Sequence, residues 1–258
     1  MMMTAQLDRS PPCPPPASRG WASRLVSPLA LVVLGALAGL SILAFRAWPD
    51  LDLIPAAMFY NDESRFVATE TSQLVRLVLF VTPWIVVTVV LALCLANGSR
   101  LVRVWAPCGR GLAVLILSLV LGPGLLVNII LKDNVHRPRP NQTADFGGTL
   151  EFRSVGSIEG GCPRNCSFVS GEVAIAAWTV SVALLTPIAV QPVAIAAALL
   201  LTGVAGLSRM SVGAHFLSDT LLATLFTWLV VIVTWWVVFG TRAGARNAAG
   251  PPRSQASA

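Results

Sequence analysis

Charge-free apolar stretches divide this 258-residue chain into long hydrophobic runs separated by short polar segments. Residues 26–45, 77–95, 111–131 and 220–241 each hold 19 to 22 positions without an Asp, Glu, Lys or Arg. About 20 apolar residues cross the hydrocarbon core of a bilayer as a helix. A fifth run, 173–208, has 36 uncharged residues, too many for one crossing. Pro187 and Pro192 break it, because proline lacks the amide hydrogen that a helix interior uses. The pattern predicts an all-α membrane bundle of six transmembrane helices occupying residues 26–240. The flanks, 1–25 with its run of prolines and 241–258 rich in Ala, Gly, Pro and Ser, are expected to be disordered tails.

Composition agrees. The chain is 55% hydrophobic and only 12% charged, with a mean hydropathy of +0.74, which excludes an ordinary soluble domain. Arg46, Ala47 and Trp48 follow the first span without a small-x-small cleavage pattern, so that span is expected to stay as an anchor. Arginines set the orientation, since short cytoplasmic loops are enriched in them. Three segments, the two tails and the loop 96–110, together hold nine arginines against Asp8. Both termini are therefore expected to be cytoplasmic, with residues 46–76, 132–172 and 209–219 at the outer face. This placement absorbs the net charge of +6 and the pI near 9.7. No clustered basic, aromatic-interleaved face remains for a nucleic acid.

Cys162 and Cys166 fall in the longest outer segment. In an oxidising compartment they can pair and staple that loop; otherwise they are two free thiols, and their spacing alone does not make a zinc site.

Chemistry concentrates at the outer ends of the spans. Lys132, the chain's one lysine, is followed by His136, Arg137, Arg139 and Pro140, a cationic group suited to a phosphate-sized anion or, equally, an interfacial anchor. Ser170 and Gly171 open the fourth span before Glu172; a serine N-cap and free helix N–H groups favour an anion there. Ser208 and Arg209 precede His215, and Asp219 lies one helical turn beyond it, where its carboxylate can orient the imidazole.

Together, Lys132 with Arg139 and Pro140 seven and eight residues on, then Ser170 and Gly171, then Ser208, Arg209, His215 and Asp219 resemble the three-part signature of the type 2 phosphatidic acid phosphatase superfamily. That superfamily includes bacterial lipid phosphatases, bacterial acid phosphatases and vanadium haloperoxidases. The resemblance covers residues 132–219. It implies a metal-independent phosphatase without cofactors, acting on a lipid phosphomonoester or pyrophosphate. The site would lie on the periplasmic face of a bacterial inner membrane. Lys132, Arg139, Ser170, Gly171 and Arg209 would hold the phosphate, and His215, oriented by Asp219, would attack phosphorus. One position departs from the pattern: Glu172 stands where the family places the histidine that protonates the leaving oxygen. Either Glu172 is a tuned acid, or His136 takes over, or the leaving group needs little protonation. The substrates implied are lipid A, undecaprenyl pyrophosphate, phosphatidylglycerol phosphate or phosphatidate. The reading from another class, a small polytopic transporter or scaffold, would place charges inside the spans, and the spans hold none.

Overall fold

In the computed structural model, the residues described are 21–61, 65–66, 109–157 and 159–248, with scattered positions between 74 and 92. About half of the expected second span, 77–95, and most of each tail lie outside them. The described chain is mostly helical. Helix α1 is Pro28–Ala47, opened by the Ser27 hydroxyl accepting from the Ala30 amide at 3.1 Å. After it comes a short α2, Asp50–Ala57, and a two-rung antiparallel pair, β1 (Tyr60–Asn61) and β2 (Arg65–Phe66), which with an isolated bridge between Thr143 and Leu150 departs from an all-α pattern. Helix α3 runs Gly109–Leu131, α4 Gly171–Leu185, α5 Gln191–Ser211 and α6 Leu217–Ala248.

Helices α1, α3, α5 and the Leu217–Gly240 part of α6 are long and apolar enough to cross a membrane. Helix α4 is shorter. Its 15 residues rise about 22 Å at 1.5 Å per residue, short of a 30 Å core. Polar caps set its ends. Ser170 starts α4 by accepting from the Val173 amide, and Thr186 with Pro187 ends it. Pro192 then sits in the first turn of α5, where a missing amide hydrogen costs nothing.

Helix α6 is the hub, packing on α1, α3 and α4, while α4 lies closest to α5. One buried layer joins Val114, Leu115, Trp178, Val231 and Trp235; a second joins Val127, Val173, Leu222 and Ala223. Trp178 secures the first by donating its indole N–H to Ser118 Oγ at 3.0 Å. Exposed Leu29, Leu40, Val193, Leu200 and Leu207 point outward, as lipid contact requires. In α3 the Gly122-Pro123-Gly124 step interrupts regular winding, and Val120–Leu131 adopts wide π-type turns. Asn128 Nδ2 bonds the Pro123 carbonyl at 2.6 Å inside that segment.

A cap covers the end of the bundle that carries His215. Tyr60, Phe66 and Phe146 stack within 5.6 Å of one another, and Phe152 meets Phe216 edge-on at 5.2 Å. Gly213, between α5 and α6, has φ +64, and a Cβ there would lie 2.4 Å from the Phe66 ring. Both conformation and space demand glycine. Gly213→Ala should therefore destabilise the fold by about 1–3 kcal/mol, measured as a lowered thermal unfolding midpoint of the purified protein in detergent.

Candidate active site

His215 lies in the five-residue link between α5 and α6. Its side chain is nearly fully buried, and Nδ1 faces the Ser167 carbonyl at 2.7 Å. A carbonyl only accepts, so Nδ1 carries the proton and Nε2 keeps its lone pair. The structure corrects the expectation that Asp219 orients the ring directly. Asp219 Oδ2 is 4.0 Å from Nδ1, and it accepts instead from the Ser167 hydroxyl and from the Phe216 amide at 2.9 Å. Ser167 is thus the intermediate, its backbone holding the imidazole and its side chain held by the carboxylate.

The imidazole is held neutral, its pKa pushed well below the ordinary value of 6.5. Burial is the first cause; Arg209, Arg139 and Lys132 follow, and the Ser167 hydrogen bond opposes them. Desolvation and three cations do this work. All three predicted phosphate-binding cations thereby act electrostatically on one ring. Arg139 is set by the outer loop, donating Nε and Nη2 to the Asn165 carbonyl at 3.1 and 2.8 Å. Asn165 lies inside the loop closed by a disulfide between Cys162 and Cys166, whose Cα atoms are 5.8 Å apart.

Ser170 caps α4, and its amide donates to the Asp219 carbonyl at 3.3 Å, tying α4 to α6. Gly171 is needed for close packing: a Cβ there would come 2.5 Å from Asn128 Oδ1. Glu172, its side chain 18% exposed, places Oε2 3.5 Å from Arg209 Nε. His136 is half-buried, with Nδ1 3.1 Å from the Cys162 carbonyl. Among the described residues, no group of three or more His, Cys, Asp or Glu side chains is placed to hold a metal ion.

Arg137 was read with the cationic pocket, and the structure turns it the other way. It is fully buried, donating to Asp219 Oδ1 at 2.7 Å, Asp52 Oδ2 at 2.6 Å, Ser218 Oγ at 2.8 Å and the Arg153 carbonyl at 2.8 Å. Asp52, Ser167, Ser218 and Asn128 were not singled out from sequence. Ser218 adjoins Asp219 and was within reach of inspection. Asp52 read simply as one outer-loop acid.

The sequence pattern of the PAP2 superfamily matches residues 111–243. Among curated proteins, the chain is 34% identical over 209 residues to "Lipid A 4'-phosphatase" of Rhizobium leguminosarum, covering 72% of this chain and 86% of that protein. A protein of the same name from Rhizobium etli is also 34% identical over 209 residues, with 72% and 78% covered. A third of that name, from Francisella tularensis subsp. novicida, is 30% identical over 207 residues, with 77% and 91% covered. No solved structure matches the chain.

Two histidines make the site directly observable. In protein labelled with 15N-histidine, with His136→Ala giving the assignment, His215 should stay in the Nδ1–H form and titrate well below pH 6.5. Arg139→Gln removes a neighbouring cation and should raise that midpoint towards 6.5. The sign for stability follows. The unfolded chain binds the extra proton below about 6.5 while the folded state refuses it, so this contribution is present above 6.5 and shrinks as pH falls towards the folded midpoint. A His215 midpoint at or above 6.5 would contradict the arrangement.

Proposed function

The chain belongs to the PAP2 superfamily and is a membrane lipid phosphate phosphatase, and we propose that its substrate is a lipid A-type phosphomonoester, cleaved through a phosphohistidine at His215. The observation that carries the mechanism is the neutral, Nδ1-protonated imidazole with three cations around it. Lys132, Arg139 and Arg209 take the phosphate oxygens, helped by the Ser170 hydroxyl and the Gly171 N–H, and stabilise charge on the equatorial oxygens as the bond to phosphorus changes hands. His215 Nε2 attacks phosphorus in line as the bond to the lipid oxygen breaks. Glu172, within reach of Arg209, passes a proton to the departing oxygen and then takes one from the water that hydrolyses the phosphohistidine.

The substrate class rests on the three relatives, which share the name lipid A 4'-phosphatase. An apolar groove of about 530 Å³ lined by Pro123, Gly124, Asn128, Ile129 and Ile175 suits an acyl chain, because Asn128 packs on Gly171 at the head of α4. The arginine distribution supports a bundle in a bacterial inner membrane with both termini cytoplasmic and the site facing the periplasm.

Purified protein in detergent should release phosphate from lipid A faster than from undecaprenyl pyrophosphate, phosphatidylglycerol phosphate or phosphatidate. His215→Ala should release none, and near-normal turnover in that variant would end the nucleophile assignment. Glu172→Gln should lower turnover by about 10²- to 10⁴-fold, the usual range for a general acid, with His136→Ala near wild type. The reverse pattern would move the acid to His136.

A further inference from the structure

The proposed reaction uses neither Asp52 nor Arg137, yet both are completely buried and both point towards it. Asp52 comes from α2, in the outer cap. Its Oδ2 accepts from Arg137 Nη2 at 2.6 Å and from Ser218 Oγ at 2.7 Å, and its Oδ1 accepts from the Ser218 amide at 2.8 Å. Arg137 passes the contact on to Asp219 Oδ1 at 2.7 Å. Its guanidinium lies 4.5 Å from the centre of the Phe216 ring and 5.5 Å from that of Phe152, so it has no room to choose other partners. From Asp219 the chain of hydrogen bonds runs through the Ser167 hydroxyl, and the Ser167 carbonyl ends on His215.

Charge counting shows what the second carboxylate adds. Arg137 with Asp219 alone would be a neutral pair, and a neutral pair is enough to fasten a loop to a helix. Burying a further carboxylate is costly in a medium that solvates it poorly, and it leaves the cluster with one net negative charge. Shared between two carboxylates, the guanidinium neutralises neither fully, and the Asp219 carboxylate stands 4.0 Å from His215 Nδ1. That charge matters when Nε2 bonds phosphorus. The ring keeps its Nδ1 proton, and positive charge develops on the imidazole as the lone pair is drawn into the new bond.

We propose that Asp52 is a positioning residue of the phosphatase, setting through Arg137 the placement and charge of Asp219 and thereby the reactivity of His215. The proposal rests on the phosphatase reading. That reading is reported separately, by wild-type phosphate release and its loss in His215→Ala.

The test is steady-state kinetics on a lipid phosphate with the purified full-length protein, together with competitive inhibition by inorganic phosphate. Asp52→Asn should lower kcat about 10- to 100-fold while KM and the phosphate inhibition constant stay within about twofold, the pattern of an interaction made only in the transition state. Asp52→Glu, which restores the charge, should recover part of that kcat. Unchanged kcat in Asp52→Asn overturns the proposal, as does a parallel loss of kcat and phosphate affinity, which marks a collapsed site. Ser218→Ala removes one hydroxyl from the same network and perturbs packing least. It should lower kcat about three- to tenfold at constant KM, and an unchanged kcat there overturns the proposal even where Asp52→Asn does not fold.

Discussion

One guanidinium holds the His215 half of this molecule in register. Arg137 donates to Asp52 from α2, to Ser218 and Asp219 from α6 and to the Arg153 carbonyl of the outer loop, so three segments distant in sequence share one buried centre. Lysine has the charge but lacks the planar fork of donors that meets four acceptors at once. The geometry is also unforgiving. Removing one partner of a buried ion pair strands the other, at a cost of about 3–5 kcal/mol, so cap, loop and α6 stand or fall together. Aromatic rings do the rest, with Phe216 and Phe152 walling the guanidinium from water.

The same end joins binding to reactivity. Lys132, Arg139 and Arg209 hold the imidazole neutral, and in the proposed reaction they also receive the phosphate. A nucleophile must keep its lone pair until substrate arrives, and cations ensure it. Once a phosphate dianion lies among them, its charge offsets theirs, so the empty site and the loaded site present the ring with different fields. Glu172 enters this balance because its carboxylate and the phosphate face the same Arg209 guanidinium. Arg139 is held through the Asn165 carbonyl of the disulfide-closed loop, which links the geometry of that loop to the grip on phosphate.

Much of this was legible in sequence where a single chemical rule decides it. Absence of charge marked the long helices, proline marked the break between α4 and α5, and the spacing of Lys132, Arg139, Arg209 and His215 identified residues that the structure gathers around one imidazole. Rules failed where side-chain direction depends on tertiary contact. Arg137 sits between His136 and Arg139 in sequence and was grouped with them, but a loop has no fixed periodicity, and packing turned it inward. Asp52 lies 85 residues from its partner, and nothing local distinguishes it from the other acids of that outer segment.

The largest revision concerns how a histidine is prepared. A carboxylate bonded directly to Nδ1 would fix the tautomer, but it would also favour the protonated ring, which cannot attack. A neutral backbone carbonyl fixes the same tautomer with less of that penalty. It leaves no trace in a motif, because every residue has one. The side chain of Ser167 supplies what the carbonyl cannot, by fastening the peptide to Asp219. The carboxylate then sits at 4.0 Å, near enough to favour positive charge developing on the ring and outside the hydrogen-bond distance that would hold a proton there beforehand. Orientation, assigned to Asp219 when read from its spacing to His215, falls in the fold to a peptide group, and the carboxylate stands 4.0 Å from the ring.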